Sequence, residues 1–361
     1  MPRPRFPAAF LYRLPQFIRS RITPLARSGY SLDFPNGQIS GGGNRAQRAV
    51  DLQTLRAASS QIASGNDSFL AGVNNTASAT NIAVMGLGNV GTGNQNFRAG
   101  AVNTGTATQI FTAGFGNNSG SGTEGFLSGS SNTRTGSRSI VMGQSCTVSS
   151  DTIAAGFSNT ASGITAIVFG NGSSGRATDT PAIGRAHDTG TGAYAGVFGG
   201  YRGNGLNIQG FTVFPASVEP ISNTLGRSQS GRLVLGRETT NATTTLLTSN
   251  STTTAAASNS LTLLNNSAVF FYGEIIANVT GGGNTKQWDI EGVIKRGATA
   301  GSTALVGTPT VTSNYADAGA STWTVAISAN TTLGCLTINV TGQASTTIRW
   351  VCSLNVTQVL F

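Results

Sequence analysis

Few residues in this chain have the type and spacing needed for chemistry. Ile82-Ala83-Val84-Met85-Gly86-Leu87-Gly88-Asn89-Val90-Gly91 is an apolar, strand-like run opening Gly-x-Gly-x-x-Gly, the pattern in which a dinucleotide site cradles pyrophosphate. A second copy, Gly170-Asn171-Gly172-Ser173-Ser174-Gly175, stands 84 residues on, and neither is followed by an amphipathic helix or by an acidic residue about twenty positions later. Both read as parts of a repeat, and no cofactor is expected. His187 is the only histidine, which excludes a His-rich metal site within one chain. A Ser-His-Asp relay would have to be built around it beside Asp188, and a solvated turn histidine is the expectation. Glycan hydrolysis needs two carboxylates at a defined separation, whereas Asp67, Glu124, Asp151, Asp179 and Asp188 are scattered along the sequence. Only carboxylates joined across chains could make such a pair, so no catalytic residue is assigned and the chain is read as a non-enzyme.

Cys146, Cys335 and Cys352 have no metal-ligand spacing and are expected as free thiols, in a chain assembled in a reducing compartment. Trp288 shares parity with Ile290 and Ile294, Trp323 with Val325 and Ile327, and Trp350 with Ile348 and Leu354, which marks all three as core. Tyr315 differs, because Ser313-Asn314-Tyr315-Ala316-Asp317-Ala318-Gly319 reads as a loop. Asn314, Tyr315 and Asp317 are therefore the candidate receptor contacts. The sequons at Asn74, Asn241 and Asn250 are compositional by default in a chain this rich in Asn, Ser and Thr.

The elements that must position these residues follow from composition. Of 361 residues 49 are glycine, 10% are charged, 38% hydrophobic and 7% aromatic, too poor in helix formers for bundles or doubly wound sheets. The glycines do not fall every third residue, and no apolar run approaches ~18 residues, so collagen and a transmembrane helix are excluded. A glycine-punctuated all-β chain remains. The net charge of +9 is concentrated at one end, since residues 1–56 hold nine arginines against two aspartates. A basic segment implies an acidic partner.

Residues 1–58 also hold six of the ten prolines, with Phe6, Phe10, Leu11, Tyr12, Phe17 and Ile18, and read as an extended arm that docks by charge and apolar anchors together. Arg13, Pro15, Arg19 and Arg21 interrupt every candidate signal-peptide core, so export by that route is not expected. From about Ser59 an apolar run followed by glycine recurs, at Gly72, Gly86, Gly100, Gly114, Gly129, Gly143, Gly156, Gly170, Gly184 and Gly199. The period is fourteen, with a second small-residue cluster half a period later, so each copy predicts two short strands and two turns. Such a unit buries its face only by stacking on its neighbours. A coil this short encloses a thin core, which predicts that several chains pack together.

Ser139-Ile140-Val141-Met142-Gly143 and Thr152-Ile153-Ala154-Ala155-Gly156-Phe157-Ser158-Asn159-Thr160-Ala161-Ser162-Gly163 resemble the head repeats of trimeric autotransporter adhesins. The resemblance covers residues 59–206 and implies a trimeric, left-handed parallel β-roll. The family's signal peptide, heptad stalk and membrane-anchor barrel are not expected, which places the module in another context.

After about Asn207 the period stops, and residues 207–264 read as a Ser/Thr-rich connector. Period-two alternation then predicts strands at 269–279, 286–294, 322–327, 335–340 and 347–361, an antiparallel sandwich or jelly-roll knob over 265–361. Phe271-Tyr272-Gly273-Glu274-Ile275-Ile276-Ala277 and the run Trp288 to Gly297 resemble the C-terminal domains of bacteriophage tail fibres and related virion appendages. The expectation is a homotrimeric virion fibre, assembled in the host cytoplasm. Arg3, Arg5, Arg13, Arg19 and Arg21 would meet an acidic groove on a tail hub, adaptor or capsid protein, with Phe6, Phe10 and Phe17 as anchors. The knob would bind a host-surface glycan or protein, with no nucleic acid, metal or membrane insertion involved. A capsid-bound head fibre or decoration protein, a bacterial trimeric adhesin and a glycan-cleaving tailspike are the alternatives.

Overall fold

The computed structural model describes residues 45–217, 221 and 224–361, together with the backbone of two short strands, Ile22–Leu25 and Gly29–Asp33. The chain is all-β, 52% strand and 2% helix, with a β-solenoid of about 11 turns. It divides into two units, Met1–Phe157 and Ser158–Phe361.

In the first unit the strands Val50–Leu55, Phe69–Val73, Ala83–Leu87, Phe97–Ala101, Thr108–Phe115, Thr123–Ser130, Ser139–Gln144 and Ile153–Phe157 form a parallel ladder. Partner residues are 14 apart where Phe69 faces Ala83 and Phe97 faces Phe111, 15 apart where Phe111 faces Phe126, and 13 apart where Ile140 faces Ile153. A second wall is made of two-residue strands, Thr76–Ala77 beside Val90–Gly91 and Thr133–Arg134 beside Thr147–Val148, with single bridges such as Ala63 to Ala77. Leu70, Val84, Leu127 and Val141 point in from the long wall, and Ala63, Ala77 and Val148 from the short one. All are buried, and their burial supplies the apolar term that such short strands need. The glycine after each apolar run is demanded by the stacking. At Gly86 φ is +114°, and a Cβ would lie 1.9 Å from the carbonyl oxygen of Gly100 in the next coil.

A corner of each coil is closed by a buried asparagine. Asn89 Nδ2 donates to the Met85 and Gly100 carbonyls at 2.9 and 2.8 Å, while its Oδ1 accepts the Asn103 backbone N–H at 2.9 Å. Asn75, Asn103, Asn117 and Asn132 repeat this arrangement, so a ladder of amides links successive coils. Backbone groups that leave the strands at the turn are thereby satisfied.

The ladder begins ahead of residue 59. Gly29–Asp33 pairs antiparallel with Ile22–Leu25 and parallel with Val50–Leu55, so part of the segment expected as an extended arm lies in the ladder. The phase there is hidden because Val50 faces Phe69, an offset of 19, and because the interior position is polar. Asp51 is fully buried and held by Arg45 at 3.2 Å and Arg56 at 2.9 Å.

In the second unit Ile167–Asn171, Pro181–Arg185, Gly196–Tyr201 and Thr212–Pro215 are parallel. The direction then reverses. Ser228–Thr239 runs antiparallel to Thr212–Pro215 on one side and to Ile348–Leu360 on the other. Beyond Ile348–Leu360 come Ser267–Val279, Thr285–Arg296 and Ala304–Ala316, each antiparallel to the last. A smaller sheet is built on Cys335–Thr341, which pairs with Thr324–Asn330, Thr245–Leu246 and Leu261–Thr262. The two sheets share one core, with Leu233, Phe271, Ile275, Trp288, Trp350 and Leu354 from the larger and Leu247, Leu336, Ile338 and Val340 from the smaller. Trp350 lies 5.5 Å from Trp288 and 5.9 Å from Trp323, ring centre to ring centre. Residues 207–264, expected as a connector, instead carry four strands of this fold. Ser228–Thr239 looks polar in sequence because Leu233 and Leu235 share the core-facing side with Gln229 and Thr239, which are buried too, while Ser230, Arg232 and Glu238 face out.

Candidate binding cleft

Alternation along the five-stranded sheet turns one set of side chains away from the core. Phe271, Ile275, Ile290 and Leu354 point inward, so Tyr272, Glu274, Asp289 and Glu291 must point outward. Register aligns the outward residues into two rows across the strands. Arg232, Asn355, Tyr272, Glu291 and Thr310 make the first row. Val234, Ser353, Glu274, Asp289 and Thr312 make the second. Between them lies a cleft of about 420 Å³, floored by Gly273 and Ile290. Arg232 Nε donates to Ser353 Oγ at 3.1 Å, and the Tyr272 side chain is half exposed. Glu274 stands directly opposite Asp289, an arrangement that costs stability between like charges on neighbouring strands. Asp289 is steadied by amides, accepting from Gln287 Nε2 at 2.5 Å and from Asn314 Nδ2. Carboxylate acceptors, a guanidinium, a side-chain amide and an exposed aromatic ring in one shallow depression suit a polyhydroxylated ligand, whose hydroxyls donate to carboxylates and whose C–H face lies on the ring.

The sequence-expected contact residues are placed differently. Asn314 and Tyr315 end the Ala304–Ala316 strand, and Asp317 precedes a short turn of helix at Ala318–Ala320, so the segment is no free loop. Two register shifts in the pairing with Thr285–Arg296 extend the strand past its alternating stretch, which is why it reads as a loop. Asn314 reaches the cleft through Asp289. Asp317 Oδ2 accepts the Thr285 N–H at 2.8 Å, a turn-closing bond, and Tyr315 is 74% exposed outside the cleft lining. Arg3, Arg5, Phe6, Phe10, Arg13, Phe17, Arg19 and Arg21 lie outside the described residues.

His187 is a correction: it is 2% exposed, not solvated. It takes a corner position that Asn159 and Ser173 hold in preceding coils. Ser173 Oγ accepts the His187 N–H at 3.2 Å, and His187 Nδ1 accepts the Gly203 N–H at 3.1 Å. Burial lowers its pKa below the usual histidine value, although the Gly199 and Ile183 carbonyls oppose that shift. Three of the five scattered carboxylates pair with arginines one coil away: Asp67 with Arg48, Asp151 with Arg138 and Asp188 with Arg176. Among the described residues no group of three His, Cys, Asp or Glu could hold a metal, and no helix is long and apolar enough to cross a membrane. The three cysteines form no disulfide and are buried, and burial pushes the Cys335 thiol up to about 11 and that of Cys352 up to about 12.

The outward face of the coils is the second notable surface. In the first unit Phe97, Phe111 and Phe126 stack with ring centres 5.0 and 5.1 Å apart. Phe111, Phe115, Ile140, Met142 and Phe157 are exposed there while Phe97 and Phe126 are half-buried, and Phe69, Phe97 and Phe111 line a groove of about 760 Å³. In the second unit Ile167, Phe169 and Ile183 are exposed on the corresponding strands. No protein-family model matches this sequence, and no curated protein is similar to it.

Proposed function

We propose that the chain is the protomer of a homotrimeric bacteriophage fibre that attaches a virion to its host by multivalent binding. In this reading the coils are fourteen-residue repeats of a left-handed β-roll, residues 265–361 belong to an outward knob, and the basic segment docks to a tail hub, adaptor or capsid protein. The observation that carries the trimer is the outward apolar face of the coils, with its aromatic stack Phe97, Phe111 and Phe126. Contiguous exposed apolar surface of this kind marks an interface. A second and third copy suit it because they present the same row at the same coil spacing. The cleft around Tyr272 and Glu274 would supply the host contact, three weak sites on one particle gaining avidity through effective concentration.

Gold-labelled antibody against residues 207–361, applied to purified particles, tests the reading. Label at the tail is the expected outcome, label over the capsid makes the protein a head fibre or decoration protein, and particles without label overturn the proposal. A glycan-cleaving spike is the second reading, favoured by Glu274 opposite Asp289. Release of new reducing ends from host polysaccharide, lost in Glu274→Gln, would establish it in place of simple binding.

A further inference from the structure

Two arginines of the first unit are fully buried inside the coils. Arg98 occupies the long-wall column between Val84 and Thr112, and Arg134 the short wall beside Val148. Their neighbours along these columns are otherwise small or apolar. Neither has a carboxylate within ion-pair distance among the described residues. Arg98 donates to the Thr104 and Gly105 carbonyls and to Ser119 Oγ at 2.7–2.8 Å, and Arg134 Nη1 to the Thr123, Glu124 and Gly136 carbonyls. These bonds leave Arg98 Nε and the Arg134 fork of Nε and Nη2 buried without an acceptor. The hydroxyls of Thr112 and Ser139 are also buried and unpartnered.

These five atoms are not strewn at random. Thr112 is the Cα partner of Arg98 in the next coil. Ser139 is the Cα partner of Gly125, whose missing side chain is filled by the Arg134 guanidinium: a Cβ there would lie 2.9 Å from Cζ and 3.0 Å from Nε. Elsewhere the same exchange of volume runs the other way, Ile82 filling the space over Gly91. A glycine stands where the Arg134 head must fit, so the charge is accommodated by the sequence and is not a packing accident. Arg98 remains protonated at neutral pH, because burial and then the Arg134 charge lower its pKa only to about 10. Two like charges in a closed interior, with a free bidentate fork and free hydroxyls, call for a negative charge.

We propose that the first unit binds one small inorganic monoanion of chloride size inside the coils, held by Arg134 Nε and Nη2 and by Ser139 Oγ, with Arg98 and Thr112 forming the adjoining wall. A fourteen-residue coil is too narrow for a phosphate ester or a carboxylate of any length. The anion would neutralise charge that the fold otherwise leaves uncompensated, so it would bind the native chain and not the unfolded one.

The test is thermal unfolding of the full chain at constant ionic strength, with chloride replacing gluconate. Chloride should raise the midpoint by roughly 2–4 °C, and Arg134→Met should remove that dependence. A midpoint indifferent to the anion, or a chloride effect that survives in R134M, overturns the proposal. Should R134M fail to fold, bromide anomalous diffraction from wild-type crystals decides: a peak beside the Arg134 fork supports the site, and its absence refutes it.

Discussion

A single asparagine in the corner ladder ties its own coil to the next. Asn103 donates to the Ala99 and Gly114 carbonyls and accepts from both the backbone and side-chain nitrogens of Asn117, at 2.9–3.0 Å. Asn103→Ala strands several buried groups at once, and we expect a loss of about 2–4 kcal/mol by denaturant unfolding. His187 sets a different test, because its Nδ1 acts as an acceptor and the buried ring is favoured neutral. Its native pKa lies below the unfolded value of about 6.5, so the unfolded chain binds the extra proton. Stability from this residue is therefore full above the unfolded value and is lost as pH falls below it toward the native one. His187→Asn should flatten the stability profile in that acid window, measured by unfolding midpoint against pH. None of this ladder was expected from sequence. Asparagine at a turn has so many ordinary uses that a column of them is visible only after the coils are superposed.

Among the elements, the coil turns carry a strained position. Val102 has φ +55° in a turn where Asn74 and Gly88 hold +54° and +64° in the two preceding coils. A β-branched residue resists that region, and Val102 is also well exposed. Val102→Asn should stabilise the chain by about 1 kcal/mol, read as a higher unfolding midpoint. The coils themselves were legible, because a glycine that must accept a neighbouring carbonyl leaves a mark every fourteen residues or so. The Ser228–Thr239 strand was not, since only the run Leu233-Val234-Leu235 interrupts its polar and glycine residues, and its central place depends on a partner far along the chain. The cleft was half legible. Parity alone turns Asp289 and Glu291 outward once Trp288 and Ile290 are assigned to the core, but no local pattern shows that Arg232 will stand 3.1 Å from Ser353, 121 residues away.

For the whole molecule the decisive quantity is the number of chains. Phe111→Asp places a charge at the exposed middle ring of the aromatic stack without touching the coil interior. The proposed trimer should therefore fall to monomers in light scattering while circular dichroism stays β-rich. A wild-type chain that is monomeric at micromolar concentration would reject the trimeric shaft. One further consequence follows from the reversal at Thr212–Pro215, where a parallel ladder meets the antiparallel Ser228–Thr239. A stack of coils is a polymer whose growing end offers the next subunit a complete row of amide groups. The antiparallel strand occupies that row with hydrogen bonds of its own, within the same chain. Ending the protein before Ser228 should thus leave that row of amide groups unpaired and make the chain associate through it, read as a light-scattering mass that rises with concentration.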